Sequence, residues 1–299
     1  MSSFIRYEQA PVEIKKGSGK ACTLVASSLT AGENLPLQAV RALGYNGAVA
    51  VAANGPVEGT WSTTYTLIKS AVTSVGCGSA MTPDGDCNDF MSSSPLTWGS
   101  GDYISIKVGG SDLFAQGMAN SLSITVEPNA IVTATLGGNF YDGGLIPGGG
   151  AMKAGAAQTG YGTLAAAHGS TSTGQKIGFS CDPFSASYEA SRGFNPIYSL
   201  GSLAAKFVMI TDPQQSVTFQ GENIPNGTVQ SGSTPTCVAP TNATMTIKDT
   251  CGSAVTSLSV CGYIQSRDIE IAENDVLRGN VTIVDYTGLV QSLSNASCS

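Results

Sequence analysis

The chain repeats itself. Val40-Arg41-Ala42-Leu43-Gly44 is followed by small and branched residues as far as Pro56, and Ile197-Tyr198-Ser199-Leu200-Gly201 leads in the same way to Pro213. The two segments lie 157 residues apart, and the interval from Leu-Gly to Pro is 12 residues in both. A second landmark repeats in the same order. Ile124-x-Val126, Asn129-x-Ile131-Val132 and Tyr141-x-Gly143 are matched by Ile269-x-Ile271, Asn274-x-Val276-Leu277 and Tyr286-x-Gly288, at an offset of 145. Two ordered matches point to a tandem duplication whose second copy has lost about a dozen residues between the landmarks. In 299 residues this allows two domains of ordinary size, each able to bury a core. We expect one module over 1–145, a Gly/Ala-rich connector over 146–175 and a second module over 176–299.

Composition decides the class of fold. Charged residues make up 12% of the chain, well below the ~25% typical of globular domains, while Gly is abundant and Ser and Thr recur. That profile suits β-rich structural proteins better than solvated helices. A net charge of −7 argues against a surface that grips phosphate, which needs clustered Lys and Arg. The N-terminus lacks the apolar stretch of a signal peptide, and nowhere does the sequence offer ~20 apolar residues for a membrane helix. Synthesis in a cytosol is therefore expected.

Period-two alternation marks strands at Trp61, Thr63, Tyr65 and Leu67, at Ile104, Ile106 and Val108, at Leu122, Ile124 and Val126, and around Val217 and Phe219. Ala48 to Ala53, bracketed by Asn46-Gly47 and Asn54-Gly55, reads as a buried strand in a hairpin. Asn34 to Gly44 has helix signals, but its second copy carries Pro196 and β-branched residues, so extended chain or turn is expected in both. Ser111 to Asn120 is the best helix candidate of the first half, and an Ala-rich helical turn is expected near Ala151 to Ala157. Residues 1 to about 20 read as an arm or first loop. Gly17-Ser18-Gly19-Lys20 is not a phosphate-binding loop, because Ile14 and Ala21 stand where that pattern needs Gly and Ser or Thr.

Candidate chemistry is sparse. His168 is the only histidine, so a Ser-His-Asp site would have to use it; its place in the Gly/Ala connector suggests an exposed loop residue. Among the eight cysteines no Cys-x-x-Cys pair occurs, which speaks against a zinc ribbon or a thioredoxin-like site. Polar loops bounded by Cys77 and Cys87 and by Cys237 and Cys251 fall in corresponding regions, and these pairs are expected to form loop-closing disulfides, each contributing ~3 kcal/mol on the entropy model. Cys22, Cys181, Cys261 and Cys298 remain as candidates for bonds between subunits. In Arg267-Asp268-Ile269-Glu270-Ile271 a strand would set Asp268 and Glu270 on one face and the isoleucines on the other, a solvated sheet surface.

Ser191-Arg192-Gly193-Phe194-Asn195-Pro196, the following Ile197-Tyr198-Ser199-Leu200-Gly201-Ser202 and Val217-Thr218-Phe219 together resemble the tail tube proteins of tailed bacteriophages, in which a Pro-x-Tyr-x-Leu-Gly-Ser-like turn precedes a strand pair. Val40 to Tyr65 looks like a more divergent version. The resemblance implies a mainly β chain of two tandem β-sandwich or barrel modules, each with a short flanking helix. It implies rings stacked into a tube through which DNA and the tape-measure protein pass. Duplicated members form trimeric rings with six-fold pseudo-symmetry, so three chains per ring are expected, together with a tail terminator and a sheath as neighbours. Asp268 and Glu270 become candidates to line an acidic lumen along which DNA slides without binding. No cofactor, metal or catalytic residue is implied. The competing expectations are another β-rich virion component, such as a capsid decoration or head-tail joining protein, and a carbohydrate-binding adhesin.

Overall fold

The computed structural model describes residues 12–16, 22–66, 68–71, 80–81, 104–108, 111–128, 130–141, 164–172, 183–202, 205–222, 241–249, 254–271 and 277–286. Among them no helix occurs. The strands are β1 (Val12–Lys16), β2 (Cys22–Asn34), β3 (Leu37–Arg41), β4 (Ala48–Ala53), β5 (Glu58–Thr66), β6 (Ile68–Ala71), β7 (Ala80–Met81), β8 (Ile104–Val108), β9 (Ser111–Val126), β10 (Thr133–Phe140), β11 (Leu164–Ser172), β12 (Ser185–Tyr198), β13 (Ala205–Glu222), β14 (Thr241–Asp249), β15 (Ala254–Glu270) and β16 (Arg278–Asp285).

The described strands of the first half close on themselves. The order β10-β5-β2-β1-β8-β9 returns to its start because β9 also pairs with β10, giving a ring of six antiparallel strands. Closure removes open edges over most of that ring. Alternation on β5 carries out the expectation from its sequence: Trp61, Thr63 and Tyr65 are buried, and the Thr63 hydroxyl donates to the Ser28 carbonyl at 3.0 Å. The second half continues the sheet in the order β12-β13-β16-β15-β14-β11, and β11 goes on to β6 and β7. One apolar cluster runs through both halves, from Ile14, Ile106 and Leu136 to Tyr188, Phe219 and Ile283.

Pairing registers repeat between the halves. β9 meets β10 with Thr125 opposite Thr133 and skips Asn120, and β15 meets β16 with Glu270 opposite Arg278 and skips Gln265, each 145 residues on. Leu37↔Ala53 in the β3–β4 hairpin becomes Phe194↔Ile210, and Arg41↔Ala48 becomes Tyr198↔Ala205, each 157 residues on. Both hairpins turn through a glycine in the left-handed region, Gly44 at φ 90° and Gly201 at φ 81°. They also share a backbone hydrogen bond three residues long, Tyr45 N to Ala42 O and Ser202 N to Ser199 O.

Several expectations are corrected. Ser111 to Asn120 is not a helix but the first part of β9, because pairing with β8 on one side and β10 on the other outweighs the local preference of Leu113, Ala115 and Met118 for helix. Ala48 to Ala53 is a strand of a hairpin, but an exposed one, since β3 and β4 form a separate two-stranded sheet with every residue open to solvent. The expected N-terminal arm contains β1, which pairs with β2 and β8. The expected connector contains β11, so His168 lies in a strand, opposite Lys248 of β14, and not in a loop. The Ala-rich turn near 151–157 lies outside the described residues.

Candidate functional site

The site worth building is the seam where the halves meet. The outer part of β9 leaves β8 behind and takes β12 as its neighbour, with Val126 opposite Ala186, Ile124 opposite Tyr188 and Leu122 opposite Ala190. All six side chains are buried, while Ser121, Ser123, Thr125, Ser187, Glu189 and Ser191 alternate onto the other face and are at least partly open. Alternation of this kind on both partners fixes the register, because a slip of one residue would turn the apolar set outward.

Beside the ladder the second hairpin docks onto the first half. Met118 and Tyr141 pack with Ala205 and Val208, and Phe194 and Tyr198 close over them. Tyr141 meets Phe194 edge to face, with ring centroids 6.4 Å apart. The Ala205 amide donates to the Tyr141 carbonyl at 3.2 Å. Arg192, buried in this seam, donates from Nε to the Ala119 carbonyl at 2.7 Å and lies 5.4 Å from the Phe194 ring centre. The Tyr198 hydroxyl donates to Glu58 Oε1 at 2.9 Å. Burial and that carboxylate hold the Tyr198 phenol above its usual range, and burial with Glu58 nearby pushes Tyr141 up to about 12.

A second polar chain crosses the second half: the Tyr188 hydroxyl donates to Gln215 Oε1 at 3.2 Å, and Gln215 Nε2 donates to Asp285 Oδ2 at 3.0 Å. All three residues are buried. Burial first, then the neighbouring Asp285, raises the Tyr188 phenol. The sequence holds no local signal for this chain, since its members lie on three strands.

No family model matches the chain, and no curated protein matches it.

Asp268 and Glu270 are exposed, as the alternating pattern suggests, opposite Asn280 and Arg278 of β16. Ile269 and Ile271 are exposed too, at 46% and 77%, so this stretch of sheet is uncovered on both faces. Cys261, half-buried in β15, is disulfide-bonded. Cys22 opens β2 opposite Ile14. Cys77, Cys87, Cys181, Cys237, Cys251 and Cys298 lie outside the described residues. No group of three or more potential metal ligands occurs among the described residues. A shallow depression of about 180 Å³ over the seam is lined by hydroxyls such as Ser121, Ser191 and Ser216 with Glu189. It is smaller than the ~300 Å³ at which small-molecule sites begin.

What the surface does offer is apolar area. Leu37, Val40, Leu43, Tyr45, Val49 and Val51 of the first hairpin are all exposed, and so are Tyr263, Ile269, Ile271 and Tyr286 on β15 and beside β16. A monomer rarely leaves this much aliphatic and aromatic surface in contiguous strands, whereas an assembling subunit does.

Proposed function

We propose that this chain is a structural virion protein, the subunit of a phage tail tube, which stacks as rings around the channel used for DNA ejection. The exposed apolar hairpin at one place and the uncovered end of β15 at another carry this reading, because a head-to-tail ring needs two different surfaces on one subunit. The repeated registers support two tandem tube-like modules per chain, and three chains then give a ring with six-fold pseudo-symmetry. Asp268 and Glu270 face the lumen in this reading, and the net charge of −7 lets DNA pass without binding. The tape-measure protein occupies the channel before DNA does, a tail terminator ends the stack, and a sheath, where the tail contracts, surrounds it. The protein works in the virion tail after assembly in the host cytoplasm. It performs no catalytic step.

Native mass determination and electron microscopy of purified protein test the reading. Particles of about three times the 30.4 kDa chain mass that stack into tubes of constant bore are expected. Compact particles that never stack at high concentration would favour a capsid decoration or head-tail joining protein, and a stable monomer would remove the tube reading.

A further inference from the structure

We infer that the seam inside the chain is also the template of the contact between chains: β15 of one copy pairs antiparallel with β2 of a second copy, and the first hairpin of that copy docks beside them. β9 recurs as β15 at an offset of 145, and β12 recurs as the run from β2 to β3 at an offset of 157. Within the chain, β9 residues 121–126 pair with β12 residues 186–191. The matching stretches are 266–270 of β15 with Ile271 just beyond it, and 29–34 of β2.

Among the described residues, both stretches pair along one edge only. Over 29–34, β2 pairs with β5, and its pairing with β1 ends at Leu24. Over 266–270, β15 pairs with β16, and its pairing with β14 ends at Gly262. Carrying the seam's register across sets Leu29 opposite Ile271, Ala31 opposite Ile269 and Glu33 opposite Arg267. Two apolar pairs and one pair of opposite charge fall on the same face, the arrangement that stabilises neighbouring strands. A shift of one residue would oppose Glu33 to Asp268 or Ser266 and lose all three.

Exposure tells the same story. Ile124 and Val126, covered by β12, are 3% and 1% exposed, while their counterparts Ile269 and Ile271 are 46% and 77% exposed. Met118 and Tyr141, covered by the second hairpin, are 2% and 4% exposed, and their counterparts Tyr263 and Tyr286 are 41% and 59% exposed. Val208 of the docked hairpin is buried, and its counterpart Val51 stands 60% open. Most residues that the seam covers in one half thus have an exposed apolar counterpart in the other, while Leu122 and Ala190 have the charged Arg267 and Glu33, and these counterparts lie on two different surfaces. In the assembled pair Val51 reaches Tyr263 and Tyr286, and the Ala48 amide meets the Tyr286 carbonyl as Ala205 meets Tyr141. Such a contact is heterologous and propagates head to tail, closing where the rotation allows. Closure at three chains rests on the tube reading; the pairing does not.

Charge reversal tests it on the full-length chain. Glu33→Arg and Arg267→Glu are each expected to raise the dissociation constant of the assembly roughly tenfold, and the double reversal to restore it. Ile271→Asp, at a side chain the isolated chain leaves open, is expected to give a folded monomer by circular dichroism and sedimentation. Leu200→Asp, on a tip the seam leaves uncovered, is expected to keep the chain-to-chain contact. Tubes or rings indifferent to the reversals and to Ile271→Asp would overturn the pairing while sparing the tube. Linear chains or dimers that respond to them, without closed rings, would sustain the pairing and remove the tube. A double reversal that stays monomeric while folded, or a wild-type chain that never associates, would also overturn the pairing.

Discussion

At the scale of single residues, the two halves solve one packing problem with different chemistry. Gly59 lies opposite Phe140, and the matching positions on β13 and β16 hold Gln215 opposite Asp285. In the first half the Phe140 ring lies against the glycine, so that a Cβ built on Gly59 would overlap the outer edge of the ring. Gly59→Val should therefore destabilise the fold by about 1–3 kcal/mol, the usual cost of overpacking, read as a lower midpoint in urea. In the second half an amide bridges a phenol and a carboxylate. Gln215→Leu removes the donor that reaches Asp285, and a loss of about 1–3 kcal/mol follows from leaving buried polar atoms less well paired. Replacing Gln215 and Asp285 together by leucines and Tyr188 by Phe, so that no member of the chain is left buried without its partner, should recover much of that loss. The buried phenols make a further prediction. Tyrosine in an unfolded chain ionises near 10, whereas burial raises Tyr65 and Tyr188 above this and holds Tyr141 at about 12. Stability from these groups is complete below the unfolded value and is lost as pH rises beyond it, because only the unfolded state then releases the proton. Urea midpoints should fall above roughly pH 10, and Tyr65→Phe should flatten the fall; a midpoint independent of pH there would refute the assignment.

Among the elements, the two hairpins differ most in what surrounds them. β12 and β13 run unbroken from the sheet to their tip, past an irregularity where Asp212 adopts φ 44°. At the same place the first copy breaks into separate strands around Pro36 and Gly55-Pro56, held by the Asn54 amide donating to the Pro36 carbonyl. Replacing 37–53 by a two-residue Asn-Gly turn should thus leave the closed first-half ring intact and abolish assembly. Cutting back the tip of β12 and β13 should instead uncover Met118 and Tyr141 and lower the melting temperature. Calorimetry and sedimentation on the two variants would separate these outcomes. Much of this was legible in the sequence. Alternation found β5, β8 and the outer part of β9, since one face of each is buried, and the second copy correctly prevented a helix over 34–44. The inner part of β9 was illegible because Gly117 to Ala119 are buried in succession around the bulge at Asn120, which erases the period of two. β11 was hidden in a Gly- and Ala-rich stretch, because its pairing partners lie 76 and 94 residues away, as in Thr171↔Ile247 and Leu164↔Ser70, and only long-range pairing makes it a strand. The apolar run of β4 was visible, but exposure is a property of what fails to cover it.

For the whole molecule, the apolar surface falls into two sets. The lateral contact accounts for Tyr263, Ile269, Ile271 and Tyr286 and for Leu37 and Val51. It leaves the hairpin tips untouched: Leu200 is 106% exposed although its own hairpin is docked, and its counterpart Leu43 is 102% exposed. Both tips set an uncovered leucine immediately before a left-handed glycine, where sideways docking does not reach it. In a stacked assembly they meet the next ring, where each buried leucine side chain contributes about 1.5–3 kcal/mol. The proposed ring of three chains would carry six such tips, so that a small gain at each is multiplied across the ring face. On the proposed tube reading, replacing Leu43 and Leu200 together by Asp should leave rings that form normally but do not stack, seen by electron microscopy as single discs under conditions in which the unsubstituted chain is expected to form tubes. Tubes of unchanged length from the doubly substituted chain would show that stacking runs through another surface.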